Sequence, residues 1–298
     1  MNKLYGTVCA TITPMTENGE VDYESLFSLH KYMRENGING IYPNGTNGEG
    51  ILLCPQERQD IAKETVKNCA EYASVFIQCG SVTPEETAAH AEHAVSIGAD
   101  GVGIMTPLFF HVDRQALIDY YDYTVRKLPD DFPFYIYNIP SHSNNDADVS
   151  VVAALLKKHK NLRGIKFSAP DLMRIEDYLF CSDKKPDVLI GCDSLYLQCL
   201  VAGGVGTVSG PAQVFGKRFS LLYKQFLNKD YEGAAETQRR IVETDRHLSN
   251  ISGIPAIKTL LMMQGVIKND TCRRPLRPLN EDEKTILREE LDKYNKEG

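Results

Sequence analysis

The chain has 298 residues, with 33 basic and 40 acidic side chains and a formal net charge of −7. This acidic excess argues against a general nucleic-acid-binding protein, which needs a basic surface to neutralise phosphates. Apolar residues make up 42% of the chain and charged residues 24%, which is typical of a folded globular protein and not of a disordered one.

Short apolar segments alternate with longer segments of helical periodicity along most of the chain. The apolar segments are bounded by Gly, Pro or Asn, as strands are. Eight strands are predicted: Gly6–Thr13, Gly37–Pro43, Val75–Gly80, Gly101–Thr106, Phe134–Asn138, Leu162–Phe167, Val188–Gly191 and Val205–Val208. The helices that follow them are predicted to begin near Asp22, Pro55, Pro84, Asp113, Asp148, Asp171, Ser194 and Ala212. Eight such units predict the α/β class and a closed (β/α)8 barrel of the TIM type.

The competing α/β architecture is a doubly wound open sheet. That fold predicts a glycine-rich phosphate turn after the first strand, whereas the first strand here runs into Thr13-Pro14-Met15-Thr16. Beyond Asn228 the sequence predicts only helices, namely Asp230–Asn250, Gly253–Gln264 and Glu281–Lys296. We therefore expect a barrel with the active site over residues 1–227 and a C-terminal helical extension over residues 228–298.

In a parallel barrel the functional residues lie where the strands end. Strand two is followed by residues 44–50, which combine three glycines with the hydroxyl of Thr46 and the amide of Asn47. Backbone N–H groups in such a turn can point at an anion, with the predicted helix from Pro55 behind it. A glycine-rich turn with a purely structural role is the alternative.

Strands five and six add a phenol and an amine to the same rim. Tyr135 and Tyr137 share one face of strand five, and the tyrosine nearer the strand end is expected at the site. The alternative is an aromatic residue that packs inside the barrel with a satisfied hydroxyl. Lys166 lies between Ile165 and Phe167 in an apolar run, where burial favours the neutral amine that attacks a carbonyl. The alternative is a lysine that reaches out to solvent.

Cysteine usage and the apolar runs bear on the compartment. The eight cysteines include no C-x-x-C pair, so we expect reduced, structural thiols. No apolar run approaches the roughly 20 residues of a membrane span. The first residues contain no recognisable secretory signal. We therefore expect a cytoplasmic protein that does not bind membranes.

The histidines do not predict a metal site. His90 and His93 lack the spacing of the H-E-x-x-H zinc motif, and we expect them on a solvent-exposed helix face. His30, His159 and His247 also fall in helical patterns and are expected at the surface. No metal ligand set is therefore predicted.

Three motifs together resemble those of the N-acetylneuraminate lyase and dihydrodipicolinate synthase family. They span residues 45–49 after strand two, residues 137–140 at strand five and residues 164–166 in strand six. The resemblance covers the whole chain, including residues 273–278 of the helical tail, and the three motifs in this order are highly specific. It implies a (β/α)8 barrel with a helical extension, usually assembled as a tetramer of two dimers.

The resemblance also implies a reaction. Lys166 would form a Schiff base with the keto carbon of pyruvate or another 2-oxo acid, and the iminium would act as an electron sink. Tyr137 would shuttle the proton and Thr46 would relay it, while N–H groups around Thr46 and Asn47 would hold the carboxylate. No cofactor and no metal are implied, because the covalent iminium replaces a Lewis acid. The further positions implied to line the substrate are Gly45, His142, Ser168, Gly191, Asp193, Val208 and Phe110.

Residues near the motifs bear on the branch of the family. Synthases carry an Arg two residues after the strand-five proline, where this sequence has His142. Ser168 and the segment 191–193 resemble the lyase branch, although Ser194 and Gly210 replace the Glu and Ser that are usual in sialic acid lyases. The lyase branch is therefore favoured, with a substrate other than sialic acid itself.

Two further departures lie close to the implied reaction site. Asn47 replaces the usual second Thr or Ser of the strand-two motif, and in this it resembles members that act on hydroxy-oxo-glutarate-like acids. Phe109 and Phe110 occupy the stretch where many members place a tyrosine that enters the neighbouring subunit's site. Without that phenol, the relay from Thr46 is shortened or uses water.

These features predict a class I, Schiff-base-forming lyase or aldolase that cleaves or forms a carbon–carbon bond to pyruvate. The substrate is expected to be a sugar acid or another hydroxylated 2-oxo acid. One alternative is a 4-hydroxy-tetrahydrodipicolinate synthase, which joins pyruvate to aspartate semialdehyde, and another is a non-catalytic 2-oxo-acid-binding barrel. A metal-dependent aldolase would need a His, Asp or Glu cluster at the strand ends, which the sequence does not offer. The expected partners are a 2-oxo acid, an aldehyde or sugar, and further copies in a homotetramer.

Overall fold

A computed structural model describes residues 3–297 of the chain. Within this part, eight parallel strands close into a barrel in sequential order, with β8 paired to β1. The strands are β1 Gly6–Cys9, β2 Gly40–Ile41, β3 Ser74–Gln78, β4 Gly101–Met105, β5 Phe134–Asn138, β6 Leu162–Phe167, β7 Asp187–Ile190 and β8 Gly206–Ser209. The predicted (β/α)8 barrel is therefore confirmed.

Helices surround the barrel and then continue as the extension. Around the barrel lie α1 Tyr23–Glu35, α2 Pro55–Cys69, α3 Pro84–Ser96, α4 Arg114–Val125, α5 Pro140–Ser143, α6 Val149–Lys158, α7 Leu172–Phe180, α8 Tyr196–Ala202 and α9 Gly216–Leu227. The extension consists of α10 Tyr231–His247, α11 Gly253–Met263 and α12 Glu281–Glu297. Within residues 3–297, no helix is both long enough and apolar enough to cross a membrane.

Short polar side chains begin several of the outer helices. Asp22 accepts the N–H of Ser25 at 3.0 Å to cap α1, and Asp171 accepts the N–H of Arg174 at 3.0 Å to cap α7. Such caps satisfy backbone N–H groups that have no partner inside the helix. The alternation of helix-capping residues with apolar strands thus fixes the βα repeat locally.

The apolar side chains divide between the inside of the barrel and the layer under the helices. Tyr42, Phe76, Tyr135 and Leu189 pack together in one buried cluster, whereas their chain neighbours, such as Ile136, belong to the larger cluster that includes helix residues. This division follows from the alternation of side chains along a strand. The barrel interior is therefore filled, and the space for a substrate lies above it, at the strand ends.

The first two strands are shorter than the sequence predicts. β1 stops at Cys9, although the predicted strand continues to Thr13. Residues 10–13 are still buried but lie outside the strand, and the Ile12 N–H donates to the side chain of Gln213 at 2.9 Å. Thr13 there donates to the carbonyl of Gly48 at 2.7 Å and supports the loop after β2.

Two of the predicted surface histidines are buried, so that prediction is wrong for them. His30 is only 1% exposed and His90 only 4% exposed. His30 lies on the inward-packing face of α1, and His90 lies on that of α3. The spacing of residues along a helix does not show which polar residues fall on its buried face. Burial lowers the pKa of His30 to about 4 and, with a smaller effect from Arg58, that of His90 to about 4. His159 and His247 are partly exposed and pair with Asp122 and Glu290, respectively.

Candidate active site

The amine of Lys166 lies against the ring of Tyr137 at the ends of two neighbouring strands. The two residues are directly paired in the register of β5 and β6, and the Lys166 Nζ lies 3.7 Å from the Tyr137 ring centroid. Lys166 is 4% exposed and Tyr137 is 2% exposed. The alternative that the lysine reaches out to solvent is therefore wrong.

Thr46 completes a short chain of reactive groups. Its hydroxyl lies 3.1 Å from the hydroxyl of Tyr137, within hydrogen-bond distance. The two residues are 91 positions apart in the sequence, and the barrel brings their strand ends together. A proton on the tyrosine oxygen therefore has a neighbouring hydroxyl to which it can pass.

The loop after β2 forms a compact turn with two available N–H groups. The Glu49 N–H donates to the Thr46 carbonyl at 3.1 Å, and the Gly50 N–H donates to the Gly45 carbonyl at 3.1 Å. In the described part of the chain, the N–H groups of Thr46 and Asn47 donate to no protein acceptor. They lie beside the Thr46 hydroxyl, and this position suits a carboxylate that accepts both.

Ser168 and Gly191 lie on the other side of Lys166. A Cβ atom placed on Gly191 would overlap the Ser168 Oγ and would lie 3.4 Å from the Lys166 Cε. Glycine at this position therefore allows the serine hydroxyl and the lysine side chain to approach each other. Ser168 itself is half-buried, since it follows the last residue of β6.

The Asn47 amide reaches toward the end of β8. A Cβ atom on Gly210 would lie 2.8 Å from the Asn47 Nδ2, which places the amide against this glycine. Val208, two residues earlier, is 2% exposed and belongs to the cluster inside the barrel. The absence of a side chain at Gly210 thus provides the space that Asn47 occupies.

Asp193 is a buried carboxyl group after β7. It accepts hydrogen bonds from the hydroxyls of Ser209 at 2.7 Å and Thr207 at 3.3 Å. Burial, followed by the nearby charge of Asp245, raises the pKa of Asp193 to about 8. The protonated form is therefore favoured more than in an ordinary aspartate, and in that form the group can donate as well as accept a hydrogen bond.

His142 and Phe110 lie farther toward solvent. His142 is exposed on α5 and lines a cavity of about 260 Å³ that also borders Gly45, Thr46, Leu108 and Leu276. Phe110 is 73% exposed and packs edge-to-face on Phe109, with 5.1 Å between the ring centroids. The structure thus brings His142 to the rim of the Thr46 side of the site, and it leaves the ring of Phe110 at the surface.

Comparison with known proteins identifies the family of this site. The model of the "Dihydrodipicolinate synthetase family" matches residues 3–294. The chain belongs to this family. The resemblance predicted from the three motifs is therefore confirmed, and members of the family are pyruvate-dependent class I aldolases or lyases.

Relatives with two different activities match over nearly the whole chain. The N-acetylneuraminate lyase of Rattus norvegicus is 32% identical over 94% of this chain and 89% of its own length. The 4-hydroxy-tetrahydrodipicolinate synthase of a Hydrogenobaculum species is 29% identical over 98% of this chain and 99% of its own. The crystal structure of a dihydrodipicolinate synthase from Aquifex aeolicus superposes with a TM-score of 0.93, at 29% identity and 98% coverage of both chains.

Tyr42 belongs to the site, although the sequence analysis did not single it out. Its ring centroid lies 5.2 Å from the Lys166 Nζ, and its ring meets that of Tyr137 edge-on at 6.2 Å. It directly follows β2, so the same rule that places functional residues at strand ends would have found it. Tyr42 and Tyr137 together surround the amine with aromatic surface and limit the positions it can take.

The described residues also bear on metal binding in this family member. Across residues 3–297, no group of three or more His, Cys, Asp or Glu side chains has the arrangement of a metal site.

Proposed function

We propose that the protein is a lyase that cleaves a hydroxylated 2-oxo acid into pyruvate and an aldehyde through an imine on Lys166. The observation that carries the proposal is the 3.7 Å contact between the Lys166 amine and the Tyr137 ring. The hydroxyl of that same tyrosine lies 3.1 Å from Thr46. An amine nucleophile and a hydroxyl relay are thus adjacent in a buried place.

The reaction follows from these groups without a cofactor or a metal. The Lys166 Nζ attacks the C2 carbonyl of the substrate, and Tyr137 gives its phenol proton to the departing hydroxyl, so that water leaves as the iminium forms. The Tyr137 phenolate then takes the proton of the C4 hydroxyl, the C3–C4 bond breaks, and its electrons move into the iminium to give an enamine and the free aldehyde. Tyr137 returns this proton to C3. Water then hydrolyses the iminium to pyruvate and the free amine, and the proton released in this step restores the Tyr137 phenol. Thr46 holds and relays the proton while the N–H groups of Thr46 and Asn47 bind the carboxylate.

The polar groups around the amine favour a hydroxylated substrate. Ser168, Asp193 and Asn47 offer a hydroxyl, a carboxyl group and an amide, which are groups that recognise hydroxyls through hydrogen bonds. Gly191 has no side chain to displace the Ser168 hydroxyl from its place beside Lys166. These groups and the match to an N-acetylneuraminate lyase support a sugar acid or a related acid as the substrate class.

Synthase activity is the second candidate. It is supported by the match to a 4-hydroxy-tetrahydrodipicolinate synthase and by the exposed His142 at the cavity beside Thr46. A protonated imidazole there could bind the carboxylate of aspartate semialdehyde, in place of the arginine of synthases. Histidine lacks the fork of N–H donors with which arginine binds a carboxylate, which ranks this candidate second.

Assembly and compartment are part of the same proposal. The adjacent rings of Phe109 and Phe110 are 79% and 73% exposed, and a second copy of the chain in a homotetramer would cover them. All eight cysteines are unpaired, which is typical of a reducing compartment such as the cytoplasm.

Trapping of the imine tests the reaction class. The wild-type protein is treated with pyruvate and borohydride, and intact mass and peptide mapping locate any reduced adduct. We expect one pyruvyl adduct, on Lys166. Lys166→Ala removes the amine and should abolish both the adduct and turnover, whereas Lys67→Ala, at a surface lysine with 67% side-chain exposure, should change neither. Turnover of Lys166→Ala near the wild-type rate would refute the mechanism.

A screen of the aldehyde half separates the two candidates. The enzyme is supplied with pyruvate and, in separate reactions, with N-acetylmannosamine, small sugar aldehydes and aspartate semialdehyde. Condensation with a sugar aldehyde supports the lyase, and condensation only with aspartate semialdehyde supports the synthase. An adduct without turnover of any of these would favour the binding barrel.

A further inference from the structure

A buried ion pair connects the helical extension to the loop after β2. The Nζ of Lys258, on α11, lies 2.5 Å from the Oε1 of Glu49, and both side chains are fully buried. Lys258 also donates to the carbonyl of Thr271 at 2.7 Å. The second carboxylate oxygen of Glu49 accepts the N–H of Arg273 at 2.7 Å. Glu49 is thus held from two sides by residues that lie more than 200 positions later in the chain.

Arg273 extends this attachment to the end of the same loop. Its guanidinium donates to the carbonyl of Leu52 at 2.9 Å and to that of Gly19 at 3.2 Å. It also pairs with the carboxylate of Glu57 at the start of α2. The segment before α12 therefore contacts the loop on both sides of Gly50.

Glu49 is part of the same turn as Thr46 and Asn47, so a restraint on Glu49 also restrains that turn. Its N–H closes the turn on the Thr46 carbonyl at 3.1 Å. Its backbone has a φ of 55°, a left-handed conformation that non-glycine residues adopt only where the surroundings hold them. The bonds to Lys258 and Arg273 supply that restraint. They therefore fix the turn that presents the Thr46 hydroxyl and the N–H groups of Thr46 and Asn47.

Charge gives a second reason for the pair. An unpaired buried carboxylate two to three residues from the anion-binding N–H groups would oppose the binding of a substrate carboxylate. Lys258 neutralises it and holds it on the side of the extension. Buried ion pairs are seldom more stabilising than apolar residues of the same size, so stability alone gives little reason for this one.

We infer that Lys258, acting through Glu49, is a positioning residue for the carboxylate-binding loop, and that the helical extension is for this reason part of the active site. The inference rests on the proposed function, because it assigns carboxylate binding to that loop. It concerns Lys258, a fully buried residue of α11 that reaches the loop through Glu49.

The test compares two substitutions in α11. Lys258→Met keeps the length of the side chain and removes its charge. Thr259→Val is the matched control, since Thr259 is 1% exposed and donates to Asp270 at 2.9 Å, so it anchors the same segment without contacting the loop. We measure the pyruvate concentration that gives half-maximal borohydride trapping, and the hydrogen exchange of residues 45–50 without pyruvate.

For Lys258→Met we expect the half-saturating pyruvate concentration to rise by about tenfold or more, the loss expected when hydrogen bonds to a charged ligand are weakened. The adduct should still form on Lys166 at saturation, and exchange in residues 45–50 should become faster. Thr259→Val should stay within about twofold of wild type in both measurements. A folded Lys258→Met protein that behaves like Thr259→Val would overturn the inference.

The test also covers two other cases, namely that Lys258→Met does not fold and that the wild-type protein forms no adduct. If Lys258→Met does not fold, the double variant Glu49→Gln/Lys258→Met removes both charges and leaves no unpaired ion. It must still bind pyruvate more weakly than wild type and show faster exchange, because the bond that holds the loop is lost. If wild-type protein forms no pyruvate adduct, the proposed function fails. In that case, unchanged loop exchange in Lys258→Met overturns the inference, and faster exchange supports it.

Discussion

Removal of the Tyr137 hydroxyl gives the sharpest test of the proton path. Tyr137→Phe keeps the ring that lies 3.7 Å from the Lys166 Nζ but removes the oxygen that lies 3.1 Å from the Thr46 hydroxyl. The amine and the carbonyl of pyruvate are unaffected, so imine formation should remain detectable. The proton transfers that accompany bond cleavage should become slow.

The expected magnitudes differ between the two partners. A positioned general acid or base contributes about 10²- to 10⁴-fold, so Tyr137→Phe should lower kcat by at least about 10²-fold, or about 2.7 kcal/mol. Thr46→Val loses one neutral hydrogen bond and the relay, and a hydrogen bond of about 1 kcal/mol corresponds to roughly a fivefold effect. Because Thr46 acts through Tyr137, the double variant should be about as slow as Tyr137→Phe alone.

The assay measures steady-state cleavage together with borohydride trapping for the four proteins of this cycle. Tyr135→Phe is the matched control, because Tyr135 lies on the same strand and its hydroxyl donates to Asp187 at 2.9 Å, inside the barrel and away from Thr46. It should change stability but not kcat. An unchanged rate in Tyr137→Phe, or fully additive effects of the two site variants, would refute the assigned path.

Two predictions concern pH. The pKa of Asp193 is raised to about 8, chiefly by burial, so its contribution to stability is lost as pH rises from about 4 through 8. Asp193→Asn, which does not titrate, should flatten the fall of Tm between pH 6 and 9. Burial lowers the pKa of His30 to about 4, so the unfolded chain takes up a proton first as pH falls below 6.5, and stability decreases. That loss of unfolding free energy reaches about 2 kcal/mol at pH 5. Denaturant unfolding at pH 7 and pH 5 should show a smaller decrease in unfolding free energy for His30→Gln than for wild type. An equal decrease in the two proteins would contradict the assignment of this loss to His30.

The sequence predicts the barrel well because the determinants of the βα repeat are local. Apolar strand segments alternate with helices whose first residues carry their own caps, such as Asp22 and Asp171. The strand lengths are predicted less well. Residues 10–13 are as buried as the strand before them. The Ala10 N–H still donates to Ser209 of β8, but the Ile12 N–H donates to the side chain of Gln213 instead of a neighbouring strand. Composition does not distinguish these two kinds of burial.

The burial of single helix residues is also beyond the reach of the sequence pattern. His30 and His90 look like polar residues on outer helices, but each lies on the face that packs inward. An apolar stripe locates a helix face only approximately, and a histidine that is kept neutral by burial can occupy it. The tertiary packing decides which histidines are buried and so have a lowered pKa.

The residue types of the candidate site follow from the sequence alone, whereas their connections do not. A lysine in an apolar run, a tyrosine at a strand end and a glycine-rich turn are visible in the chain, because each occupies a strand end and strand ends share one rim in a barrel. The hydroxyl contact between Thr46 and Tyr137, the ring of Tyr42 beside Lys166 and the ion pair of Glu49 with Lys258 join residues far apart in the chain. Such contacts depend on the register of the closed barrel and on where the extension packs, and only the tertiary structure determines these.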